Sequence, residues 1–242
     1  MKRSCIALLF FILLYRVVFG FESINSQYPL KDPKIPDGER AVYTVENKNS
    51  TFKVEEFVKI SRDKRYYIVK SITQKTIKVL KLSRKTMLPL QLDITTDKKE
   101  YKIRSKRQIE YKEKAKKDTI RIIGNFDTKY VLRGFPFENP TPLIIEFLTE
   151  SEAQNSSSFQ VSAHFVGKED VIIGGRVIPS YILEIRYRVS GFLVLFKSML
   201  PRTKIWYSIE KPHYMVKYEN KGGRGGSEET RILLTDYSGW KK

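Results

Sequence analysis

The sequence predicts a mainly β protein made of antiparallel hairpins, on three observations. Runs rich in β-branched and aromatic residues alternate polar and apolar at period two. Short polar or glycine turns separate these runs. They follow one another without intervening helical patterns, which is the order of a meander.

Residues 21–37 carry three prolines and no regular apolar period, and read as a linker or extended arm. Ala41 to Val45 is the first expected strand and Phe52 to Ile60 the second, joined by the turn Asn47-Lys48-Asn49-Ser50. Tyr66 to Ile72 follows the polar turn Ser61 to Lys64. Strands are then expected at 76–82, 88–95, 101–104, 108–111 and 119–123.

Asn139-Pro140-Thr141-Pro142 interrupts the pattern. Thr141 suits a helix cap and Pro142 a first helical position, so Leu143 to Leu148 is expected as a short buried helix, with a strand as the competing reading. After the polar loop 150–158, strands resume at 159–166, 171–173 and 176–178, the last two flanking the turn signal Gly174-Gly175. Tyr181 to Val189 alternates cleanly, and 203–209, 214–219 and 230–237 complete the set. The glycine-rich loop 222–226 joins strand to strand and lacks the helix N-terminus that a phosphate loop needs.

An export signal is expected over residues 1–20: Lys2 and Arg3, the apolar run Ile6 to Leu14, then Val18-Phe19-Gly20. The run is about half the ~20 residues of a membrane-spanning helix, and an uncleaved anchor is the alternative. Cleavage removes the single cysteine, Cys5, and three basic residues, lowering the formal net charge from +18 to +15. A linker over 21–37 and one β-rich domain over 38–240 then remain. Export, with the periplasm as the favoured compartment, makes nucleic acid an unexpected partner. The basic charge is then expected either to meet an anionic membrane surface or simply to keep outward strand faces wet, the plainer reading.

The chain offers little chemistry. His164 and His213 stand far apart without close ligand-type neighbours, so neither is expected to hold a metal. Glu169-Asp170 and Glu228-Glu229 sit beside turns, and no G-x-S-x-G motif occurs. No catalytic residue and no cofactor are expected, and the chain is read as not an enzyme. Aromatics, at 12% of residues, mostly suit a core, and Trp206 is read as a core anchor. Two apolar segments fall in expected loops: Phe135-Pro136-Phe137 and Gly191 to Phe196. Such segments pack inward, line an apolar pocket or meet a membrane. Phe135, Phe137, Phe192, Leu193, Leu195 and Phe196 are the candidate ligand-binding residues.

Several motifs together resemble an uncharacterised bacterial family of exported domains of unknown function, itself similar to the LolA/LolB lipoprotein-carrier superfamily. They are Gly38-Glu39 before the first strand, Phe135-Pro136-Phe137, Lys204 to Ser208, Pro212 to Tyr218 with its glycine-rich loop, and Leu233 to Tyr237. The resemblance implies a curved antiparallel sheet, an open or half barrel, with one or two short helices on the concave side. In the carriers that concavity holds acyl chains. The expected function is therefore non-enzymatic binding of an apolar or lipid-like ligand, such as a lipid or lipoprotein acyl chain. The alternative is a structural or assembly protein of the envelope that binds a protein partner, for instance through a sheet edge.

Overall fold

The computed structural model describes residues 30–98, 103–110, 119–148, 158–188, 200–222 and 229–240. The expected export segment 1–20 and the apolar segment 191–196 lie outside them. The first half forms β1 (Arg40–Asn47), β2 (Ser50–Ile60), β3 (Tyr66–Ile72), β4 (Thr76–Ser83), β5 (Pro89–Lys98) and β6 (Ile103–Glu110). Then come β7 (Thr119–Ile123), helix α1 (Gly124–Val131), a 3-10 turn (Leu132–Gly134) and β8 (Leu143–Leu148). The chain finishes with β9 (Ser158–Ile173), β10 (Arg176–Tyr187), β11 (Arg202–Ser208), β12 (Met215–Lys221) and β13 (Thr230–Tyr237).

All of these strands join one sheet in the order β6-β5-β4-β3-β2-β1-β13-β12-β11-β10-β9-β8-β7. The neighbours β7 and β8 are parallel and every other described pair is antiparallel. The fold is thus the expected mainly β class, and it is strongly curved. β6 and β7 lie at opposite edges, yet only residues 111–118 separate them in the chain. That connection reaches at most ~30 Å, whereas a flat sheet of this many strands sets its edges nearly 60 Å apart at about 4.8 Å per strand. The sheet has to roll towards a barrel, and its edges stay unpaired to one another.

Two expectations are corrected here. Leu143 to Leu148 is not a helix but strand β8, clasped between β7 and β9. Leu143 and Ile145 are buried while Ile144 and Glu146 are half-buried, so the run keeps the period-two alternation of a strand. The backbone amides of an apolar β-branched run are better satisfied by two neighbouring strands than by one helical turn. The short helix occurs earlier, in the crossover that parallel strands require. Expected breaks within the 101–111 segment, and within 159–189 other than at Gly174-Gly175, are also absent: β6, β9 and β10 are each continuous. At Gly167 the β9–β10 register shifts by one residue, and this bulge keeps pairing going while burying both Ile182 and Leu183.

The sequence of α1, Gly-Asn-Phe-Asp-Thr-Lys-Tyr-Val, is poor in helix formers. Packing holds it: Thr128, Tyr130, Val131, Leu132 and Arg133 are all buried against the inner face of the sheet. Gly134 then permits a close crossing, because a Cβ there would meet the carbonyl oxygen of Lys31 at 2.6 Å. Through that gap the Lys31 amide donates to the Gly134 carbonyl at 2.8 Å. The segment 30–37 is packed down, with Leu30 and Ile35 buried. The inner faces of the strands supply the rest of the core. Fully buried Leu80, Leu82, Leu92, Ile145, Leu183 and Ile205 each contribute about 1.5–3 kcal/mol by leaving water.

Candidate functional site

The concave side of the sheet holds a cavity of about 300 Å³. Its wall follows from strand register, since directly paired residues of antiparallel strands share a face. Ile205 pairs with Tyr218, Tyr218 with Ile232, Ile232 with Val45, and Val45 with Phe52. These pairs form a continuous apolar row across β11, β12, β13, β1 and β2, and every member lines the cavity. On the other side Lys78 pairs with Ser71 and Ser71 with Glu56, giving a polar row across β4, β3 and β2. A flat sheet would set β4 and β11 about 29 Å apart, so only the curl lets Lys78 and Ile205 line one small space.

Helix α1 closes part of this space with Lys129. Its ammonium donates to Glu56 Oε1, and the Tyr130 hydroxyl donates to Glu56 Oε2 at 2.7 Å. The Lys129 carbonyl accepts from the Tyr207 hydroxyl at 3.0 Å, and its ammonium lies 4.9 Å from the Tyr43 ring centre. Burial pushes the Lys129 ammonium below the ordinary lysine pKa, and the attraction of Glu56 offsets this only in part. Burial likewise pushes the Tyr43 and Tyr130 hydroxyls well up, with the Glu56 charge adding to it.

One helical turn further on, Arg133 makes the second link between helix and sheet. Its two terminal nitrogens donate to the two oxygens of Glu39 at 2.6 and 2.8 Å, and its Nε donates to the Pro212 carbonyl at 3.1 Å. The Tyr237 hydroxyl donates to Glu39 Oε2 at 2.8 Å. Burial opposes the guanidinium charge, but Glu39 outweighs it and the Arg133 pKa rises. The two links fix the helix, and with it Lys129, at the polar end of the cavity.

The structure separates the expected site residues. Phe135 and Phe137 are buried in the core: Phe137 stacks on Tyr181 at 4.4 Å and meets the His213 ring edge at 5.2 Å. They do not line the cavity. Phe192, Leu193, Leu195 and Phe196 lie outside the described residues. His164 Nε2 lies 2.8 Å from Ser162 Oγ, and His213 Nδ1 lies 3.0 Å from the Ser208 carbonyl oxygen. Trp206 is buried as expected, its indole nitrogen donating to Glu169 at 3.2 Å.

The sequence carries one signal of the cavity. In β2, Phe52, Val54, Glu56 and Val58 share a face by period two, so Glu56 is an acid on an apolar face. Lys129 and Arg133, four residues apart, lie on one side of a short helical turn. What neither pattern reveals is that the two meet.

No family model matches the chain, and no curated protein does. Among solved structures, the chain is similar to a β-barrel-like protein of a domain of unknown function (DUF1849) from Brucella abortus. TM-score is 0.43 and identity 8%, over 83% of this chain and 97% of that one. It is also similar to MucB in the Pseudomonas aeruginosa MucA/MucB complex, at TM-score 0.38 and 10% identity, over 90% of this chain and 56% of that one. A third is an exported protein with a YmcC-like fold from Bacteroides fragilis, at TM-score 0.36 and 8% identity, over 88% of this chain and 99% of that one. The chain spans about half the length of the MucB chains it matches. Among the described residues, no helix is long and apolar enough to cross a membrane.

Proposed function

We propose that this chain is an exported, non-enzymatic binding module that holds an apolar or lipid-like ligand on the concave side of its curved sheet. The observation that carries the reading is the apolar row from Ile205 to Phe52, which lines a cavity of about 300 Å³ instead of filling it. That volume stands at the lower end of the range for ligand sites, about 300–1,000 Å³. At about 30 Å³ per water-sized group, it accommodates roughly ten such groups, a short acyl segment. Phe52 and Ile232 are only partly buried, which leaves an approach from solvent. The apolar lining supplies affinity without direction, and the Glu56–Lys129 pair marks one end of it.

The test is native mass spectrometry of the purified protein together with binding to anionic liposomes. Recovery of bound lipid supports the reading; no lipid and no liposome binding end it. Ile232→Trp, which fills the cavity from its rim, is expected to lower lipid occupancy tenfold or more while leaving the fold intact. Lys53→Ala, on the outer face of β2, is expected to change nothing.

A second reading has its own observation. Among the described residues the outer edges of β6 and β7 pair with no strand, and an open edge accepts an added strand from a partner. Recovery of a stoichiometric protein partner with the cavity empty favours this alternative.

A further inference from the structure

Strand register gives the cavity a depth. Phe52 and Ile232 lie at one level, joined through Val45 across β2, β1 and β13, and both are only partly buried. Further along β2 lies Glu56, and further along β12, inward from the Ile232 partner Tyr218, lies Met215. Both line the cavity and both are buried, so Phe52 and Ile232 stand at its mouth while Glu56 and Met215 stand at its floor. At about 3.3 Å per residue, the step from Phe52 to Glu56 sets mouth and floor ~13 Å apart. A volume of about 300 Å³ spread over that depth leaves a bore about 5 Å across. Carbon atoms in contact stand about 3.5–4.0 Å apart, so one chain fills the bore and two side by side do not fit. The floor is firm. Glu56 is held by both Lys129 and Tyr130, and a chain pushing past it would part a buried ion pair.

Resting on the reading of this cavity as a site for an apolar ligand, we propose that its ligand is a one-tailed amphiphile with an unbranched chain, and that the cavity measures that chain. The tail enters between Phe52 and Ile232, and its terminal methyl stops beside Met215 at the depth of Glu56. Two measures of the cavity give the same chain. By volume it holds roughly ten groups at about 30 Å³ each. By depth, an extended chain advances about 1.3 Å per carbon, from bonds of about 1.5 Å at tetrahedral angles, so ~13 Å takes about ten carbons. Val45, Val54 and Tyr218 give that chain apolar contact on the way down. A branch or a second tail stays at the mouth in water, where it buries no further apolar surface. Carbons beyond about the tenth stay there too, together with the head group. Selection is therefore by the width and depth of the bore.

The experiment uses the straight-chain alcohols from hexanol to tetradecanol, each below its solubility limit, together with the isomer 5-decanol, whose two arms meet at the hydroxyl carbon. Equilibrium dialysis measures each alcohol on the full chain and on Ile232→Trp, and the binding lost in the variant is the cavity's share. From hexanol to 1-decanol the affinity is expected to rise about fourfold per carbon, the transfer value of one buried methylene. From 1-decanol to tetradecanol it is expected to change by less than about twofold in total, because the added carbons stay in water. The isomer 5-decanol is expected to bind at least about tenfold more weakly than 1-decanol, since only one arm enters the bore. Met215→Ala deepens the floor and is expected to move the plateau to a chain about two or three carbons longer. A steady rise through tetradecanol, or equal binding of the two decanols, overturns the measured single chain while the apolar site stands. A plateau unmoved in Met215→Ala overturns the placement of the chain end. If no alcohol shows a share lost in Ile232→Trp, the apolar reading itself ends.

Discussion

Arg133 and Glu39, separated by 94 positions in the chain, meet as a two-pronged ion pair whose side chains are only 3% and 2% exposed. The contact joins the 3-10 turn after α1 to the start of β1, and Tyr237 on β13 donates to the same carboxylate. Such a pair need not be a net source of stability, since both charges are taken from water. Its geometry nevertheless dictates where the helix rests.

Removing one partner leaves the other charged and buried. Arg133→Met is therefore expected to destabilise the protein by about 3–5 kcal/mol, read as a shift of the denaturant midpoint. Glu39→Leu combined with Arg133→Met is expected to recover a substantial part of that loss. If the double variant is no better than the single one, the buried-charge explanation is wrong.

His213 gives the fold a dependence on acid. Burial lowers its pKa below the ordinary 6.5, aided by the nearby charges of Lys211 and Arg133, against the hydrogen bond to Ser208 and the charge of Glu138. Between the folded value and 6.5 the unfolded chain binds more protons, so stability falls as pH drops through that window. Thermal melts should show a loss below about pH 6.5 that is reduced in His213→Phe, whose ring keeps the contacts with Phe137 and Tyr181.

Alkali acts in the opposite sense through the tyrosines. Burial raises the pKa of Tyr67 and Tyr218 from 10.0 to about 12, and raises Tyr207 and Tyr237 as well. A raised folded value means stability that is complete below the unfolded pKa and is lost as pH climbs through the folded one. Stability should therefore decline from about pH 10 to beyond 12. Ultraviolet absorbance should show these tyrosinates appearing only as the fold is lost; tyrosinate at the ordinary pKa throughout would contradict the burial.

The turn Gly174-Gly175 has φ of +54° and +80°, the left-handed pair that a two-residue hairpin turn demands. A Cβ at either position meets nothing within 4 Å, so only backbone strain opposes a side chain. Gly174→Val is expected to cost about 1–2 kcal/mol and Gly174→Asn clearly less, as measured by chemical denaturation. Equal costs would point to some other cause.

Local signals carried most of the strand pattern. Gly174-Gly175 announced its hairpin because the turn conformation is a property of two residues. Period two placed β1 to β4 and β11 to β13 within a few residues, since alternation across a pleat needs no knowledge of distant partners. Leu143 to Leu148 misled because a short apolar run has the same composition in a buried helix and a buried strand; its partners in β7 and β9 decide the matter. Helix α1 was illegible for the converse reason, as its residues form a helix only when the sheet buries Tyr130, Val131 and Leu132.

The candidate site divides in the same way. Phe52, Val54, Glu56 and Val58 are legible as one face, because alternation is local. The hairpins, the basic charge and the aromatic content are legible on the same terms. The assembled sheet extends that face through Val45, Ile232, Tyr218 and Ile205 into a cavity wall, and brings Lys129 down on Glu56. It also decided that Phe135 and Phe137 serve the core. These outcomes depend on strand order and on the curl of the sheet. Both are set by which distant segments exclude water together, and no window along the chain contains that information.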